Sequence, residues 1–449
     1  MNSKYFSSFI LTVFFINKFA SKKSSSSLIS WIMFINISPS LSIVFYLTFG
    51  FFYCKENKPR FLLKRQCCRT KKVNTISNIL IKYNFPNIES NNSLKLYYDR
   101  KIVFQEFIRQ IDNAKKSIYI STYVFGNDCV TKKILNHLVC KAIQGVSIKI
   151  LIDAMGSYDI IFNKKLFKKL REAGGQVCFF QSFKRTISTL QMNFRNHRKI
   201  YLFDNKIVFT GGMNLAEEYM GEEPHSNSWE DLLFKIKGVS VNHFHNVFSS
   251  NWKHAYGERI ESESHIFCKT YGSLNLQVAF SGPDTGNIGI YQSLLSSIYN
   301  SKKRLWIVSP YFIPPQSILE AIKIAKLRNV DVKIITPEKS NHYFLDLARK
   351  NYLISLSEMG VHVILVSKMV HEKAILFDDE VAMLGSLNID SRSLFLNYEI
   401  ATFVYNKCVV KEISQWIYRF LKLPKKPLRK SRGIKSLAEK FMMLLDFLL

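Results

Sequence analysis

The sequence predicts an α/β protein of two tandem units. The units share one design, form a pseudo-two-fold pair, and follow an N-terminal transmembrane helical hairpin. Three observations predict this. β-Branched, strand-like runs alternate with amphipathic stretches of helical period through most of the 449 residues. The pattern that begins near Ser117 begins again near Arg304, and its closing motif recurs at an offset of 174 residues, from His197 to His371. A run of 26 residues without a charge, Leu28 to Tyr53, precedes both units.

Residues 1–55 read as the membrane segment, with spans at about 5–20 and 28–53. Trp31 and Tyr53 stand near the ends of the second run, where interfacial aromatics belong, and Pro39 marks a kink within it. The first run, Tyr5 to Ile16, is shorter and reaches span length only if Phe19 and Ala20 join it while Lys18 snorkels. Residues 56–95 read as a basic juxtamembrane linker. Lys55, Lys58, Arg60, Lys64, Arg65, Arg69, Lys71 and Lys72 face one acid, Glu56. Lys/Arg-rich flanks stay in the cytoplasm, so the two α/β units are expected there, against anionic headgroups.

Residues 96–270 form the first unit and 271–420 the second. Ser117–Phe125 and Arg304–Phe312 read as equivalent strands, as do Val146–Asp153 and Val330–Thr336, and Gly175–Phe180 and Gly360–Val366. Amphipathic patterns at Asn136–Gln144, Lys164–Ala173 and Leu319–Leu327 read as helices that cover the sheets. Residues 421–449 form a basic amphipathic segment. Lys425, Lys426, Arg429, Lys430 and Arg432 run into Leu437, Phe441, Met442 and Leu444, which suits a surface-lying membrane helix or a helix packed on the catalytic part.

The net charge of +29 points to a polyanionic partner, nucleic acid or an anionic lipid surface, with a Lys-rich compositional bias as the bland alternative. The eight cysteines are scattered, with no C-x-x-C and no Cys/His cluster at zinc spacing, which argues against a disulfide scaffold or a zinc site. No carboxylate cluster at metal spacing is present, so no metal or cofactor is expected.

Two copies of His-x-Lys-x4-Asp carry the chemistry: His197, Lys199 and Asp204, then His371, Lys373 and Asp378. On an extended chain residues i and i+2 share a face, so each imidazole and its ammonium point into one cleft. After each motif come Gly211-Gly212 with Asn214, and Gly385-Ser386 with Asn388. Small residues there, Gly212 and Ser386, would let a phosphate approach backbone N–H groups. One copy is weak evidence; two copies with the same trailing residues point to phosphodiester chemistry.

These motifs resemble the phospholipase D superfamily, and more closely its bacterial cardiolipin synthases. The resemblance covers nearly the whole chain. It includes Asp153-Ala-Met-Gly-Ser157, Arg195-Asn-His-Arg-Lys-Ile200, Thr210-Gly-Gly-Met-Asn214 and Glu218-Tyr219. It continues through Trp229-Glu-Asp231, Ser281-Gly-Pro-Asp284, Pro310-Tyr-Phe-Ile-Pro314, Gly385–Ser393 and Leu396-Asn-Tyr-Glu399. Two positions depart from the branch: Leu233, often a histidine, and Thr122, usually acidic. The resemblance implies two phospholipase D-type domains and phosphatidyl transfer through a phosphohistidine. One histidine attacks phosphorus and the other serves as acid and base; His197 is assigned the attack, and the repeat leaves the reverse assignment open. Lys199 and Lys373 would bind the non-bridging oxygens, with Asn214 and Asn388 as neutral donors. Asp231 and Glu399 are candidates to hold the histidines' other nitrogens. Asp204 and Asp378, counted with the catalytic motif, would hold the turn at the end of the sheet.

The implied substrate is an anionic phospholipid, phosphatidylglycerol, two of which give cardiolipin and glycerol at the bacterial inner membrane, with no nucleic-acid partner. The alternatives are a membrane-bound phospholipase D or other phosphodiesterase or nuclease, and a transferase using a nucleotide-activated lipid. Oligomeric state is not written in these motifs.

Overall fold

The structure is a computed structural model of the chain. It describes residues 75–163, 165–182, 193–221, 228–260, 271–285, 288–423 and 425–444, with isolated positions between 12 and 42. Apart from those isolated positions, both expected spans, 5–20 and 28–53, and the first part of the basic linker lie outside the described residues. Among the described residues no helix is long and apolar enough to cross a membrane.

The first unit supplies β1 (Glu89–Tyr97), β2 (Ser117–Thr122), β3 (Ser147–Asp153), β4 (Gln176–Phe180), β5 (Ile200–Phe203), β6 (Ile207–Gly211) and β7 (Leu233–Lys237). The second supplies β8 (Leu274–Ser281), β9 (Arg304–Val308), β10 (Phe312–Ile313), β11 (Asp331–Pro337) and β12 (His362–Val366). It continues with β13 (Ala374–Phe377), β14 (Val381–Gly385), β15 (Ile389–Asp390), β16 (Glu399–Val404) and β17 (Lys425–Lys426). All but β10 and β15 join one sheet in the order β17-β12-β11-β9-β13-β14-β16-β8-β1-β7-β6-β5-β2-β3-β4. The antiparallel β1–β8 pair is the seam. From it the order β7-β6-β5-β2-β3-β4 on one side mirrors β16-β14-β13-β9-β11-β12 on the other, so the repeat read in the sequence is a two-fold repeat in space.

Local chemistry explains the elements. β2 is buried along its whole length, as a strand with parallel and antiparallel neighbours under helical layers must be. The helix Arg100–Asn113 starts where Asp99 accepts from the Ile102 amide at 3.0 Å. The helix Cys129–Ile143 starts at a capping box of Asp128 and Thr131, seven residues before the expected Asn136, because the cap rather than the apolar period sets its start. The helix Gln316–Leu327 follows Pro315, which pre-sets its entry. The helix expected over Lys164–Ala173 is a single turn or so, Lys168–Glu172, that ends at the left-handed Gly174.

The span 56–95 is more than a linker. Its second half holds the helix Thr75–Lys82, packed on Gly289–Asn300 of the second unit, and most of β1, which closes the seam. The apolar core crosses that seam: Phe180, Ile200, Phe244 and Trp252 share one cluster with Phe280, Ile307 and Tyr398. The C-terminal helix Ile434–Leu444 packs on Tyr343–Glu358, pinned where Lys350 and Ser431 meet the buried Glu439 at 3.0 and 2.7 Å.

Candidate active site

Each histidine sits on the short extended stretch that leads into the first strand of its hairpin. Each stretch is stitched to the opposite unit by backbone. His197 N–H donates to Tyr398 O at 2.9 Å, and Tyr398 N–H returns a bond to Arg195 O at 2.9 Å. In the mirror arrangement His371 N–H donates to Glu230 O at 2.8 Å, and Glu230 N–H donates to Met369 O at 2.8 Å. The cleft therefore exists only with both units in place.

The side chains cross the seam in the same way. Nδ1 of His197 lies 3.0 Å from each oxygen of Glu399. Nδ1 of His371 lies 2.8 Å from Asp231 Oδ2. Both carboxylates are buried. Burial pushes each one up, but its histidine and the adjacent lysine hold it below the usual carboxylate range. Each imidazole therefore carries its proton on Nδ1, toward a carboxylate, and presents Nε2 to the cleft.

The small residues after the motifs serve these carboxylates, not a phosphate. Gly212 N–H is spent on Leu232 O at 3.2 Å and Ser386 N–H on Ile400 O at 3.0 Å, so the expected backbone cradle is absent. A Cβ on Gly212 would stand 2.2 Å from Asp231 Oδ1; glycine is required because the carboxylate passes over it. At the equivalent place Ser386 donates its hydroxyl to Glu399, and its carbonyl lies 3.0 Å from His197 Nδ1.

Lys199 and Lys373 are buried in the same cleft. Lys199 Nζ donates to His197 O at 2.9 Å, and Lys373 Nζ donates to His371 O and lies 3.1 Å from each ring nitrogen of His371. Burial pushes Lys199 well down and Lys373 down to about 8. Burial lowers His197 to about 4; Glu399 opposes this, while Lys199 and Lys373 add to it. Burial and Lys373 lower His371 to about 3. Both imidazoles are neutral near pH 7. A phosphodiester anion entering this low-dielectric cleft favours the charged form of both lysines, which makes the pair its receptor.

The remaining predicted residues divide. Asp204 and Asp378 lie beyond the far ends of β5 and β13, outside the cleft. Asp204 accepts from the amides of Lys115, Lys116 and Ser117 at 2.7–3.1 Å, and Asp378 does the same for Lys302, Lys303 and Arg304 at 2.6–3.1 Å. Both adopt a left-handed backbone, φ 53°, at the turn. Asn214 is committed to the fold: its oxygen accepts from Val124 N at 3.1 Å and its amide donates to Tyr219 OH at 2.9 Å. Asn388 is buried with Oδ1 unpartnered, which leaves an acceptor there.

Several site residues were given no role by the motif reading, although Tyr219, Trp229 and Tyr311 stand inside its motifs. Tyr123 packs edge-on to His197, with ring centroids 5.1 Å apart. Tyr219, Trp229 and Tyr311 surround His371 at 5.2, 5.1 and 6.3 Å. The middle residues of the two His-x-Lys triplets also matter. Arg198 is fully buried; it reaches across the seam to Asp284 at 3.1 Å and Ser281 O at 2.7 Å, and donates to Asn251 of its own unit at 2.8 Å. Glu372 is buried beside Asp231 and pushed well above the usual carboxyl range by burial and by the Asp231 charge. A large charged residue between two catalytic positions was the available signal. Among the described residues no group of three or more His, Cys, Asp or Glu could hold a metal ion.

Comparison with known proteins agrees with this geometry. A family model described as cardiolipin synthase, PLD-like domain, matches residues 107–252 and again 294–421, one match per unit. The cardiolipin synthase of Clostridium perfringens (strain SM101 / Type A) is 34% identical, covering 88% of this chain and 87% of its own. Cardiolipin synthase 2 of Staphylococcus epidermidis (strain ATCC 35984) is 32% identical over 97% of this chain and 94% of its own. The crystal structure of phosphatidylserine synthase from Haemophilus influenzae shares the fold, with TM-score 0.62 and 16% identity over 84% of this chain and all of that one. On its paired motifs, its two family matches and its relatives, the chain belongs to the cardiolipin synthase family of phospholipase D-like proteins.

Proposed function

We propose that this phosphatidyltransferase of the cardiolipin synthase family joins two phosphatidylglycerol molecules and releases glycerol, through a phosphatidyl-histidine on His197. One observation carries the mechanism. Each histidine has its Nδ1 held by a carboxylate of the opposite unit, which turns both Nε2 atoms toward one cleft, with that of His371 lying 3.1 Å from the Lys373 ammonium.

His197 Nε2 attacks phosphorus and a P–N bond forms. The P–O bond to the headgroup glycerol breaks, and His371, which takes up a proton on Nε2 when the phosphodiester anion binds, gives that proton to the leaving oxygen. The free hydroxyl of a second phosphatidylglycerol then returns a proton to His371 and attacks phosphorus. The P–N bond breaks, and cardiolipin leaves. Over the whole cycle one P–O ester bond is broken and one is made, so the exchange is reversible. The attack is assigned to His197 because the Lys373 ammonium already lies against the ring of His371. The phosphodiester anion neutralises the two lysines that depress His371, which raises its affinity for the proton it must deliver. Lys199 and Lys373 take the non-bridging oxygens as their charge grows.

The lipid reading is supported by the uncharged run Leu28–Tyr53 and the basic stretch after it, which fit a multi-pass anchor in a bacterial membrane with the catalytic units cytoplasmic. The test is incubation of the full chain with phosphatidylglycerol alone. Cardiolipin and glycerol should form in equal amounts. Turnover only after CDP-diacylglycerol is added, or phosphatidic acid as the main product, would reject the donor assignment or make the chain a hydrolase.

A further inference from the structure

Substrates that stay in a bilayer reach buried histidines only if the mouth of the cleft faces the lipid. Both histidines lie at one edge of the sheet. β2, β3 and β4 run parallel, as do β9, β11 and β12. β5 and β13 start where β2 and β9 end, since Ser121 pairs with Ile200 and Val308 with Ala374. The segments that leave β3 and β11 therefore form the rim of the cleft. After β3, Asp153 Oδ2 accepts from Asn196 N, next to His197, at 2.8 Å. Ser157 Oγ donates to Tyr123 O at 3.0 Å, and the Tyr123 ring packs on His197. After β11, Tyr311 donates to Asn341 at 2.5 Å and packs between His342 and His371.

Each rim then puts aromatic rings into solvent. Tyr158 and Phe162 are exposed after β3, Phe162 by 80%; Tyr343 and Phe344 are exposed after β11. The C-terminal helix adds Ile434, 89% exposed, and Leu437. Exposed apolar clusters of this kind mark contact surfaces. Between Tyr343 and that helix lies a cavity of about 430 Å³ whose wall includes Lys339, Lys426, Arg429 and Lys435. Two of its acids are already neutralised: Asp346 by Arg349 at 2.7 Å and Glu439 by Lys350 at 3.0 Å. The one other acid of the wall, Glu338, faces those four cations, so what remains is net positive.

We propose that this rim is a bilayer-docking surface that opens the cleft into an anionic membrane. Tyr158, Phe162, Tyr343, Phe344, Ile434 and Leu437 seat in the interface, where aromatic and apolar tips belong. The four cations of the cavity take phosphate headgroups. Charge complementarity selects an anionic lipid surface as the occupant, and the position of the patch on the histidine edge gives it a purpose. The N-terminal segment tethers; the rim orients. This rests on the lipid-transfer reading above.

The test uses the full chain in phosphatidylglycerol/phosphatidylcholine vesicles and, separately, dispersed short-chain phosphatidylglycerol. Phe162→Ser with Phe344→Ser should slow turnover on vesicles about tenfold or more, and change the short-chain rate by less than about twofold. Leu327→Ser, an exposed leucine just before β11 at the opposite edge, should change neither. Equal loss on both substrates, or no loss, overturns the proposal. A second readout needs no turnover. A fluorophore on Leu437→Cys, corrected for native cysteines, should be quenched by headgroup spin-labelled lipid far more than one on Leu327→Cys, and less so in Lys426→Glu/Lys435→Glu. Equal quenching overturns docking. Protection that follows protein density and not anionic lipid assigns the patch to a second copy and also overturns it. Quenching at 437 in a chain that makes no cardiolipin leaves docking standing and rejects the lipid-transfer reading.

Discussion

Replacing Glu399 by glutamine isolates the charge that the structure places behind the attacking histidine. The side chain is fully buried, both oxygens lie 3.0 Å from His197 Nδ1, and Ser386 and Asn397 donate to it from its own unit. As Nε2 bonds to phosphorus the imidazole becomes cationic, and Glu399 then meets a full positive charge. At an effective dielectric near 20, two unit charges at this separation attract by about 5 kcal/mol, an upper bound. A buried charge-assisted hydrogen bond retains about 1.5–3 kcal/mol after desolvation, so E399Q should lose roughly 10- to 200-fold in turnover. The amide fills the same space and keeps the Ser386 contact, so the melting temperature should stay near that of the parent. Because the interaction strengthens only in the transition state, the loss should fall on kcat and leave KM nearly unchanged. The assay is the initial rate of cardiolipin formation at saturating phosphatidylglycerol. A loss below threefold, or a change confined to KM, would refute the claim that Glu399 acts through His197.

Other outcomes follow from the same geometry. Asp204→Ala removes an acceptor that satisfies three backbone amides and should cost about 2–4 kcal/mol of stability by denaturant titration, whereas Asp204→Asn, which tolerates the left-handed turn, should cost less; equal effects would contradict the role given to that carboxylate. Arg198→Met strands Asp284 inside the seam and should cost about 3–5 kcal/mol, visible as a lower denaturation midpoint. His197 and His371 have folded pKa values near 4 and 3 against an unfolded value of 6.5, so the unfolded chain binds protons first. Stability is therefore complete above about pH 6.5 and declines as pH falls from there toward 4, by an amount of order 3 kcal/mol per histidine, and His371→Asn should flatten that decline in thermal melts.

Much of this was legible in the sequence because the chain repeats itself. The histidines, the lysines and the strand that leads away from each are local features, written twice. What was not legible depends on the seam. Asp231 and Glu399 could be named as partners, but that each serves the histidine of the other unit is a fact about residues 140 and 202 positions apart. Gly212 signalled close approach of something; its sequence cannot say whether that is a phosphate or a carboxylate, and the answer is Asp231. Arg198 and Glu372 sat unread inside the motifs, although a charge between two cleft residues must find a buried partner or give up its ionisation. The linker drawn at 56–95 hid β1, because Glu89–Tyr97 has four polar residues in its first half and shows its strand character only against β7 and β8.

The most direct test of the central claim is identification of the phosphorylated residue. The chain is mixed with phosphatidylglycerol labelled on phosphorus, and the His371→Ala variant, which keeps the attacking group, is quenched at alkaline pH and mapped by mass spectrometry. A phosphatidyl adduct is expected on His197, with one glycerol released per adduct, and no adduct in His197→Ala. An adduct on His371 in His197→Ala and none on His197 would exchange the two roles; glycerol release with no adduct on either histidine would contradict the mechanism.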